Sequence, residues 1–346
     1  MSRREEILRI CSVNLRGILA GIEGDFADVQ EIRLRAGQPL MMRTEEGEFY
    51  IGKKGEKSRR PEMGYRVPAR EIKEMMEYVG NYSLYAYEEE LRQGYLTVQG
   101  GHRVGVAGKV VPDQGRIKTI KYISFLHIRV AHEKKGCADR VLPWLYDQDR
   151  GRWYHSLIVS PPGCGKTTLL RDLIRQISDG TVDGTGQAVG VVDERSELAA
   201  CYMGIPQNDL GRQTDVLDGC PKAEGMMLLL RSMSPRVLAV DEVGGQADQE
   251  AVRYAMDSGC CVLATAHGSC MEEIRRKWQR VGMEQLMFER YIFLSRGEGA
   301  GTMEEIRDEN GQVLYRRKGD AGDVVKTSGN SAGMGGMYRS GRMPGG

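Results

Sequence analysis

The sequence predicts an α/β domain with a mostly parallel sheet, preceded by a smaller α+β domain. In the C-terminal half, short apolar runs without polar alternation alternate with helical patterns, as in a parallel sheet covered on both faces. In the N-terminal half, runs of alternating polarity form hairpin-like pairs, which is typical of an antiparallel sheet with segregated helices. The texture changes within residues 137–155, so we place the boundary between residues 148 and 149.

Composition indicates a globular protein of a reducing compartment. The 346 residues suffice for two domains of ordinary size, and 40% of them are apolar. The 49 basic and 48 acidic side chains leave a net charge of +1, so a nucleic-acid contact would need a local patch. The 8 cysteines form no CxxC pair that would favour zinc. No apolar run is long enough to span a bilayer, and we expect a cytoplasmic protein.

The N-terminal domain is predicted over residues 1–148. Residues 1–24 repeat apolar side chains at helical spacing with interrupting charges, which predicts an amphipathic helix and not a signal peptide. In the hairpin region, Gly100 and Gly101 stand between two alternating runs, where a tight turn needs positive backbone angles. The segment 69–94 is predicted to form two helices.

The C-terminal domain is predicted over residues 149–318. Its apolar runs SLIVS, AVGVV, RVLAV, CCVLAT and YIFLS alternate with helical patterns. This order predicts a parallel sheet whose crossover connections are helices. Residues 319–346 contain 9 glycines and few aromatic or β-branched side chains, so we expect a disordered tail.

The segment SPPGCGKTT at 160–168 follows the first of these strands and runs into a helical pattern. It meets the pattern GxxxxGK[ST], except that Ser160 replaces the first glycine. Glycines let main-chain amides turn toward a phosphate, the lysine reaches the outer phosphates, and the threonine hydroxyl ligates Mg²⁺. A glycine-rich turn that merely contains a lysine is the alternative. The predicted phosphate-binding residues are Pro162, Gly163, Cys164, Gly165, Lys166, Thr167 and Thr168.

Two adjacent acids follow the apolar run RVLAV. Nucleotide hydrolysis needs one carboxylate that organises Mg²⁺ and a further group that polarises the attacking water. We assign Asp241 to the metal, together with Thr167, and Glu242 to the water, with Lys166 as the catalytic cation. A solvated turn with two acids is the alternative.

Polar side chains end two further strands at the same expected edge of the sheet. After AVGVV, Glu194 is a candidate to hold Mg²⁺ or water, and Arg195 to touch phosphate or a neighbouring subunit. A surface ion-pair cluster is the alternative for Arg195. At the end of CCVLATAH, Thr265 and His267 are placed to sense the γ-phosphate, although His267 by itself would be interpreted as a structural histidine.

Taken in order, these four segments resemble the secretion ATPases of type II and type IV secretion and pilus retraction. The stretch LLRSMSPRVLAVDEVGGQADQEAVRYAMDSGCCVLATAHG covers two motifs of that family at similar spacing. The segments resemble still more closely the AA family of stage III sporulation proteins from endospore-forming Firmicutes. The sequence departs from the secretion ATPases at Asp241, where glycine is usual, at Gly244, where arginine is usual, and in VDERSE, which replaces EDP.

The resemblance implies a RecA-like P-loop ATPase that uses ATP and Mg²⁺. It also implies a cytoplasmic homo-oligomer, expected to be a hexameric ring, peripheral to the membrane through membrane proteins of a channel between mother cell and forespore. Secretion ATPases take arginine fingers from the N-terminal domain or an adjoining protomer. The candidates by this resemblance are Arg103 and Arg129, with Arg195 and Arg212 in reserve, and an ordinary surface role is the alternative for each.

Two rival functions stay open at this level. A nucleic-acid motor or loader would use the same nucleotide core, and RRKWQR at 275–280 is a small basic patch with one aromatic side chain. The balanced net charge and the lack of a longer basic stripe speak against this rival. A nucleotide-gated scaffold, in contrast, would bind ATP without turning it over.

Overall fold

The fold is seen in a computed structural model that describes residues 2–24, 26–80, 88–182, 184–280 and 287–317. The tail predicted at 319–346 lies outside the described residues. Two large sheets organise the chain, an antiparallel one in the N-terminal part and a mostly parallel one in the C-terminal part. None of the helices that the structure describes has the length and apolar character needed to cross a membrane.

The N-terminal sheet has seven strands, which are β1 (Val29–Arg35), β2 (Met41–Thr44), β3 (Gly47–Ile51), β4 (Lys57–Ser58), β5 (Tyr95–Thr97), β6 (Arg103–Asp113) and β7 (Arg116–Arg129). All neighbours pair antiparallel, in the order β4-β3-β2-β1-β7-β6-β5. Gly100 and Gly101 turn the chain between β5 and β6 with φ of 87° and 75°, as the hairpin prediction required.

Helices cover this sheet, and the first of them correct the sequence prediction. The expected single N-terminal helix is two helices, α1 (Arg3–Ile10) and α2 (Val13–Ala20), because Cys11 is extended and Ser12 caps the second helix by accepting from the Leu15 amide at 3.3 Å. Two further helices follow, as predicted, at α3 (Ala69–Val79) and α4 (Glu88–Gln93).

The C-terminal part begins with a short hairpin, β8 (Tyr146–Asp147) and β9 (Arg152–Trp153). The strands of the large sheet are β10 (Ser156–Ser160), β11 (Val189–Asp193), β12 (Thr214–Asp218), β13 (Val237–Val240), β14 (Cys261–His267), β15 (Arg290–Ser295), β16 (Thr302–Asp308) and β17 (Val313–Arg316). Their order is β12-β11-β13-β14-β10-β15-β16-β17, and the first six are parallel. The last two are antiparallel additions that the sequence analysis did not predict.

Helices cover both faces of the parallel sheet, as the uninterrupted apolar runs predicted. They are α5 (Lys166–Asp179), α6 (Lys222–Ser232), α7 (Gln246–Asp257) and α8 (Met271–Gln279). The apolar side of α5 joins one core, and α6, α7 and α8 join the core on the other face. A fully buried side chain such as Leu173 of α5 contributes about 1.5–3 kcal/mol relative to exposure.

The two parts of the chain have separate hydrophobic cores. Val130 packs in the core of the antiparallel sheet, whereas Ala138, Leu142 and Leu145 pack with α5 in the C-terminal part. The change of core thus precedes the expected boundary between 148 and 149, which stays a prediction. Within the parallel sheet, β14 lies between β10 and β13, so its polar end residues stand between the phosphate-loop strand and the acidic strand.

Candidate nucleotide-binding site

The loop between β10 and α5 has the backbone of a phosphate cradle. Gly163 and Gly165 have φ of 70° and 88°, which L side chains rarely adopt, and Gly165 is the residue that precedes the first turn of α5. The loop amides and the unpaired N–H groups of that first turn supply a positively polarised end. Ser160, which replaces the usual glycine, is buried, and its hydroxyl donates to the Pro161 carbonyl at 2.9 Å.

Lys166 is only 5% exposed and reaches two side chains from neighbouring strand ends. Its Nζ lies 3.3 Å from Glu242 Oε1 and 3.3 Å from His267 Nδ1. The contact to Nδ1 requires that this nitrogen accept, so His267 carries its proton on Nε2, which lies 2.9 Å from the same Glu242 oxygen. The three side chains therefore form one closed, charge-balanced cluster above the loop.

Asp241 is bound by two hydroxyl groups. Thr167 Oγ1 donates to Asp241 Oδ2 at 2.8 Å, and Thr265 Oγ1 donates to Oδ1. Burial raises the pKa of Asp241, while the hydrogen bonds from Thr265 and Thr167 oppose that rise. Within the described part of the chain, no lysine or arginine forms an ion pair with this carboxylate. A buried acid without a cation, next to a threonine hydroxyl, offers the oxygen ligands that Mg²⁺ prefers.

Glu242 is held in an uncommon backbone conformation and by three cationic or donor groups. Its φ is 55°, in the left-handed region, and its amide donates to Thr265 Oγ1 at 2.9 Å. Besides Lys166 and His267, Arg195 Nη1 contacts its Oε2 at 3.1 Å. Burial by itself raises the pKa of Glu242, but its neighbours Lys166, His267 and Arg195 together prevail and lower it. The carboxylate is therefore ionised and available as a hydrogen-bond acceptor.

The two acidic residues at the end of β11, Asp193 and Glu194, have different partners. Asp193 is buried and accepts from the amides of Glu197, Leu198 and Ala199 at 2.8–2.9 Å, so its carboxylate shapes the following loop. Burial raises the pKa of Asp193 to about 6. Glu194 forms an ion pair with Lys222 at the start of α6, and the structure does not bring it to Lys166 or Asp241. Its assignment to metal or water stays a prediction.

The four arginine-finger candidates lie in different places. Arg103 and Arg129 are paired across β6 and β7, and both line a cavity of about 280 Å³ that Thr167 also lines. Arg195 contacts Glu242, as described above. Arg212 pairs with Asp179 at 3.2 Å, at the C-terminal end of α5 and thus at the opposite end of the helix from the phosphate loop.

Two contacts to the phosphate loop were missed by the sequence analysis. Arg296 Nε donates to the Gly163 carbonyl at 2.9 Å, and the Gly301 amide donates to the Cys164 carbonyl at 2.8 Å. Both donors belong to the loop 296–301 between β15 and β16. The available indication was the glycine-rich SRGEGAG directly after a strand that ends at the same sheet edge.

The basic patch at 275–280 does not present its aromatic side chain. Trp278 is 3% exposed and packs against Phe288, with ring centroids 5.6 Å apart. Lys277 donates to the His267 carbonyl at 2.6 Å and to Glu273. This segment therefore lacks the exposed base-stacking surface that the nucleic-acid alternative needs.

Comparison with known proteins identifies the family of the chain. The model of the family described as Sporulation stage III, protein AA, matches residues 1–314. The chain is 39% identical over 316 residues to Stage III sporulation protein AA of Bacillus subtilis (strain 168), covering 91% of this chain and 98% of that protein.

Two solved structures show the same fold. The ATPase DotB of Legionella pneumophila superposes with a TM-score of 0.51 at 16% identity, covering 81% of this chain and 77% of DotB. DotB of Yersinia pseudotuberculosis gives a TM-score of 0.50 at 12% identity, covering 81% and 75%. The predicted RecA-like α/β fold after a smaller α+β part is confirmed, as is the predicted resemblance. The chain belongs to the Sporulation stage III, protein AA, family.

Proposed function

We propose that this chain is an ATP hydrolase whose site lies between the β10–α5 loop and the ends of β13 and β14. One observation carries the proposal most directly. Buried Lys166, at the mouth of an amide-lined loop, is neutralised by Glu242, so a carboxylate takes the position that a phosphate oxygen would take. The fold of the DotB ATPases supports the same reading.

Phosphate binding follows from the loop geometry. Amides of the segment 163–168 and the N-terminus of α5 provide donors for the β- and γ-phosphates. Lys166 exchanges its contact with Glu242 for a γ-phosphate oxygen, which frees that carboxylate at the moment the nucleotide arrives. Without nucleotide, the charge of Lys166 is balanced by Glu242. With nucleotide bound, Lys166 no longer holds the Glu242 carboxylate, which can then act on water.

Mg²⁺ fits the residues on the neighbouring strand. Thr167 and Asp241 would hold it, since they present a hydroxyl and a buried carboxylate that forms no ion pair with a described residue. The ion, when bound, neutralises charge on the β- and γ-phosphates. Thr265, which donates to Asp241, fixes the orientation of that carboxylate from the intervening strand β14.

Hydrolysis then needs an oriented water. Glu242 accepts a hydrogen bond from the water, whose oxygen forms the new bond to the γ-phosphorus while the bond to the bridging oxygen breaks. The proton of the water passes to Glu242 or to the product phosphate. His267, with its proton on Nε2, holds Glu242 from one side and Arg195 holds it from the other.

The biological role we propose is ATP-driven assembly of, or transport through, a sporulation complex between mother cell and forespore. The family assignment supports a role in sporulation. We further propose a homo-oligomeric ring, a hexamer by analogy, that works at the cytoplasmic side with membrane proteins of the complex. Arg129, which lines one cavity with Thr167, is then the finger candidate of the N-terminal part, whereas both Nη atoms of Arg103 are bound to other residues.

The decisive test is a paired measurement of ATP binding and turnover in wild type and Glu242→Gln. The variant should bind a fluorescent ATP analogue with affinity near that of wild type and hydrolyse ATP about 100-fold or more slowly. Glu62→Gln, an exposed glutamate of the N-terminal part, is the matched control. Tight ATP binding by wild type without turnover would instead identify a scaffold, and stimulation by single-stranded DNA would favour a nucleic-acid motor.

A further inference from the structure

We propose that Tyr95 and Arg103 of the N-terminal sheet are positioning residues that hold Arg195 against Glu242. Through them, the contact between the two parts of the chain would control the water-orienting carboxylate. This inference deepens the proposed function and rests on it, because Glu242 matters only if ATP is hydrolysed.

The two side chains converge on one backbone atom. The Tyr95 hydroxyl donates to the Arg195 carbonyl at 3.2 Å, and Arg103 Nη2 donates to the same oxygen. The Arg103 guanidinium also lies 4.2 Å from the centroid of the Tyr95 ring, so the two donors brace each other. They lie on adjacent strands, β5 and β6, and neither forms a hydrogen bond or an ion pair with a described residue of the phosphate loop.

The loop that carries Arg195 is rigid on its C-terminal side. Asp193 fixes the amides of residues 197–199, and Ser196, with φ of 51°, donates to Asp218 at 2.6 Å. Arg103 Nη1 adds an ion pair to Glu197 at 2.9 Å. A shift of β5 and β6 therefore moves the Arg195 backbone, because the rigid loop cannot deform to compensate for it.

The other end of Arg195 reaches the catalytic carboxylate. Its Nη1 contacts Glu242 Oε2 at 3.1 Å, while Lys166 and His267 both contact Oε1. When Lys166 turns to a phosphate, Glu242 keeps only His267 and Arg195. Because Arg195 is the sole one of these on Oε2 among the described residues, it decides where that oxygen lies.

This arrangement gives Arg103 a role other than that of a finger. Its two Nη atoms are occupied by Arg195 and Glu197, and its Nε is buried without a hydrogen-bond partner among the described residues. Arg103 would have to release the Arg195 loop before reaching a phosphate. A tyrosine hydroxyl that binds a carbonyl cannot act as an arginine finger. Substitution of Tyr95 therefore tests the positioning role separately from the finger role.

The test is a double-mutant cycle of Tyr95→Phe and Arg195→Ala, read as kcat and KM for ATP. Tyr95→Phe should lower kcat about 3- to 10-fold with KM within about 2-fold, since one hydrogen bond is lost and the binding loop is untouched. In the Arg195→Ala background the same change should have less than about a 2-fold effect. Tyr122→Phe, on an exposed tyrosine of β7, is the control. An equal loss of kcat in both backgrounds, or none in wild type, would overturn the proposal.

A measurement without ATP separates this inference from the proposed function. Hydrogen exchange of the peptide 193–199 in the nucleotide-free protein should become faster in Tyr95→Phe and Arg103→Ala, and should be partly restored in Arg103→Lys. If wild type fails to hydrolyse ATP but exchange responds in this way, the proposed function is wrong and the mechanical link stands. Unchanged exchange in both variants would contradict the link itself.

Discussion

The hydroxyl of Thr167 donates a 2.8 Å hydrogen bond to Asp241 Oδ2, joining the first turn of α5 to the end of β13. Strand β14 separates the strands that lead to these two residues, and its Thr265 binds the other oxygen of the same carboxylate. A residue of α5, the residue that follows β13 and a residue of β14 are thus joined by hydrogen bonds. In the proposed function, Mg²⁺ is held at this set of hydrogen-bonded residues.

Removal of the Thr167 hydroxyl should specifically lower the apparent affinity of the enzyme for Mg²⁺. In Thr167→Ala, the Mg²⁺ concentration for half-maximal ATP hydrolysis should rise about 10-fold or more, because a ligand is lost and Asp241 loses a donor. Titration of Mg²⁺ at saturating ATP measures this effect. Thr167→Ser retains the hydroxyl and should recover most of the difference; equal defects in both variants would argue against a ligand role.

Lys166→Met should strongly weaken nucleotide binding. A charge-assisted hydrogen bond to phosphate is worth roughly 1.5–3 kcal/mol, so the Kd for a fluorescent ATP analogue should rise about 10- to 100-fold. Glu242 also loses a neutralising neighbour, which adds to repulsion of the γ-phosphate. Lys118→Met, on the exposed hairpin of β6 and β7, is the matched control. Unchanged affinity in Lys166→Met would move the phosphates elsewhere.

Gly165→Ala should damage both stability and binding. A Cβ there would lie 2.9 Å from the Gly301 amide nitrogen, and the residue has φ of 88°. Gly184→Ala is an informative comparison, since φ is 75° but no atom lies within 4 Å of the added Cβ. Both changes should cost about 1 kcal/mol from backbone strain, measured by urea unfolding. Only Gly165→Ala should also lose ATP affinity, and similar binding by both variants would contradict the clash.

His102 should make the N-terminal part sensitive to acid. Burial lowers the pKa of His102 to about 4, although Glu6 Oε2 lies 3.2 Å from its Nε2, and its Nδ1 accepts from the Ala131 amide at 3.0 Å. Between the unfolded pKa near 6.5 and the folded value, the unfolded chain binds more protons. Stability is therefore lost as the pH falls through this window, by about 3 kcal/mol in total.

The measurement for His102 is urea unfolding of wild type and His102→Gln at several values between pH 7 and pH 4.5. The wild type should lose more free energy of unfolding than the variant over that range. Identical slopes for the two proteins would show that His102 titrates normally in the folded state.

Much of the site was predictable because the chemistry lies at strand ends. The carboxyl ends of parallel strands share one edge, so the order of motifs was enough to place Lys166, Asp241, Glu242 and His267 together. Thr265 was expected only to sense phosphate, and its bond to Asp241 depends on β14 lying between β10 and β13, which sequence order does not specify.

Other features depend on contacts that cannot be predicted from local sequence patterns. Glu194 was predicted as a site acid, and its ion pair with Lys222, well separated in sequence, could not be read from the local pattern; the site assignment stays a prediction. The strand β12 carries two aspartates at a sheet edge, and β16 and β17 are half-buried, so none of them resembled the apolar core strands. The break between α1 and α2 depends on one serine cap inside an otherwise continuous apolar pattern.

The loop 296–301 has a consequence for the order in which the molecule is made. The carbonyls of Gly163 and Cys164 receive their donors from residues that leave the ribosome long after the loop itself. A nascent chain that ends before residue 301 can have its lysine and both threonines in place and still lack the outer support of the cradle. Nucleotide capture should consequently be a late event of synthesis, arising only once nearly the whole described chain has emerged.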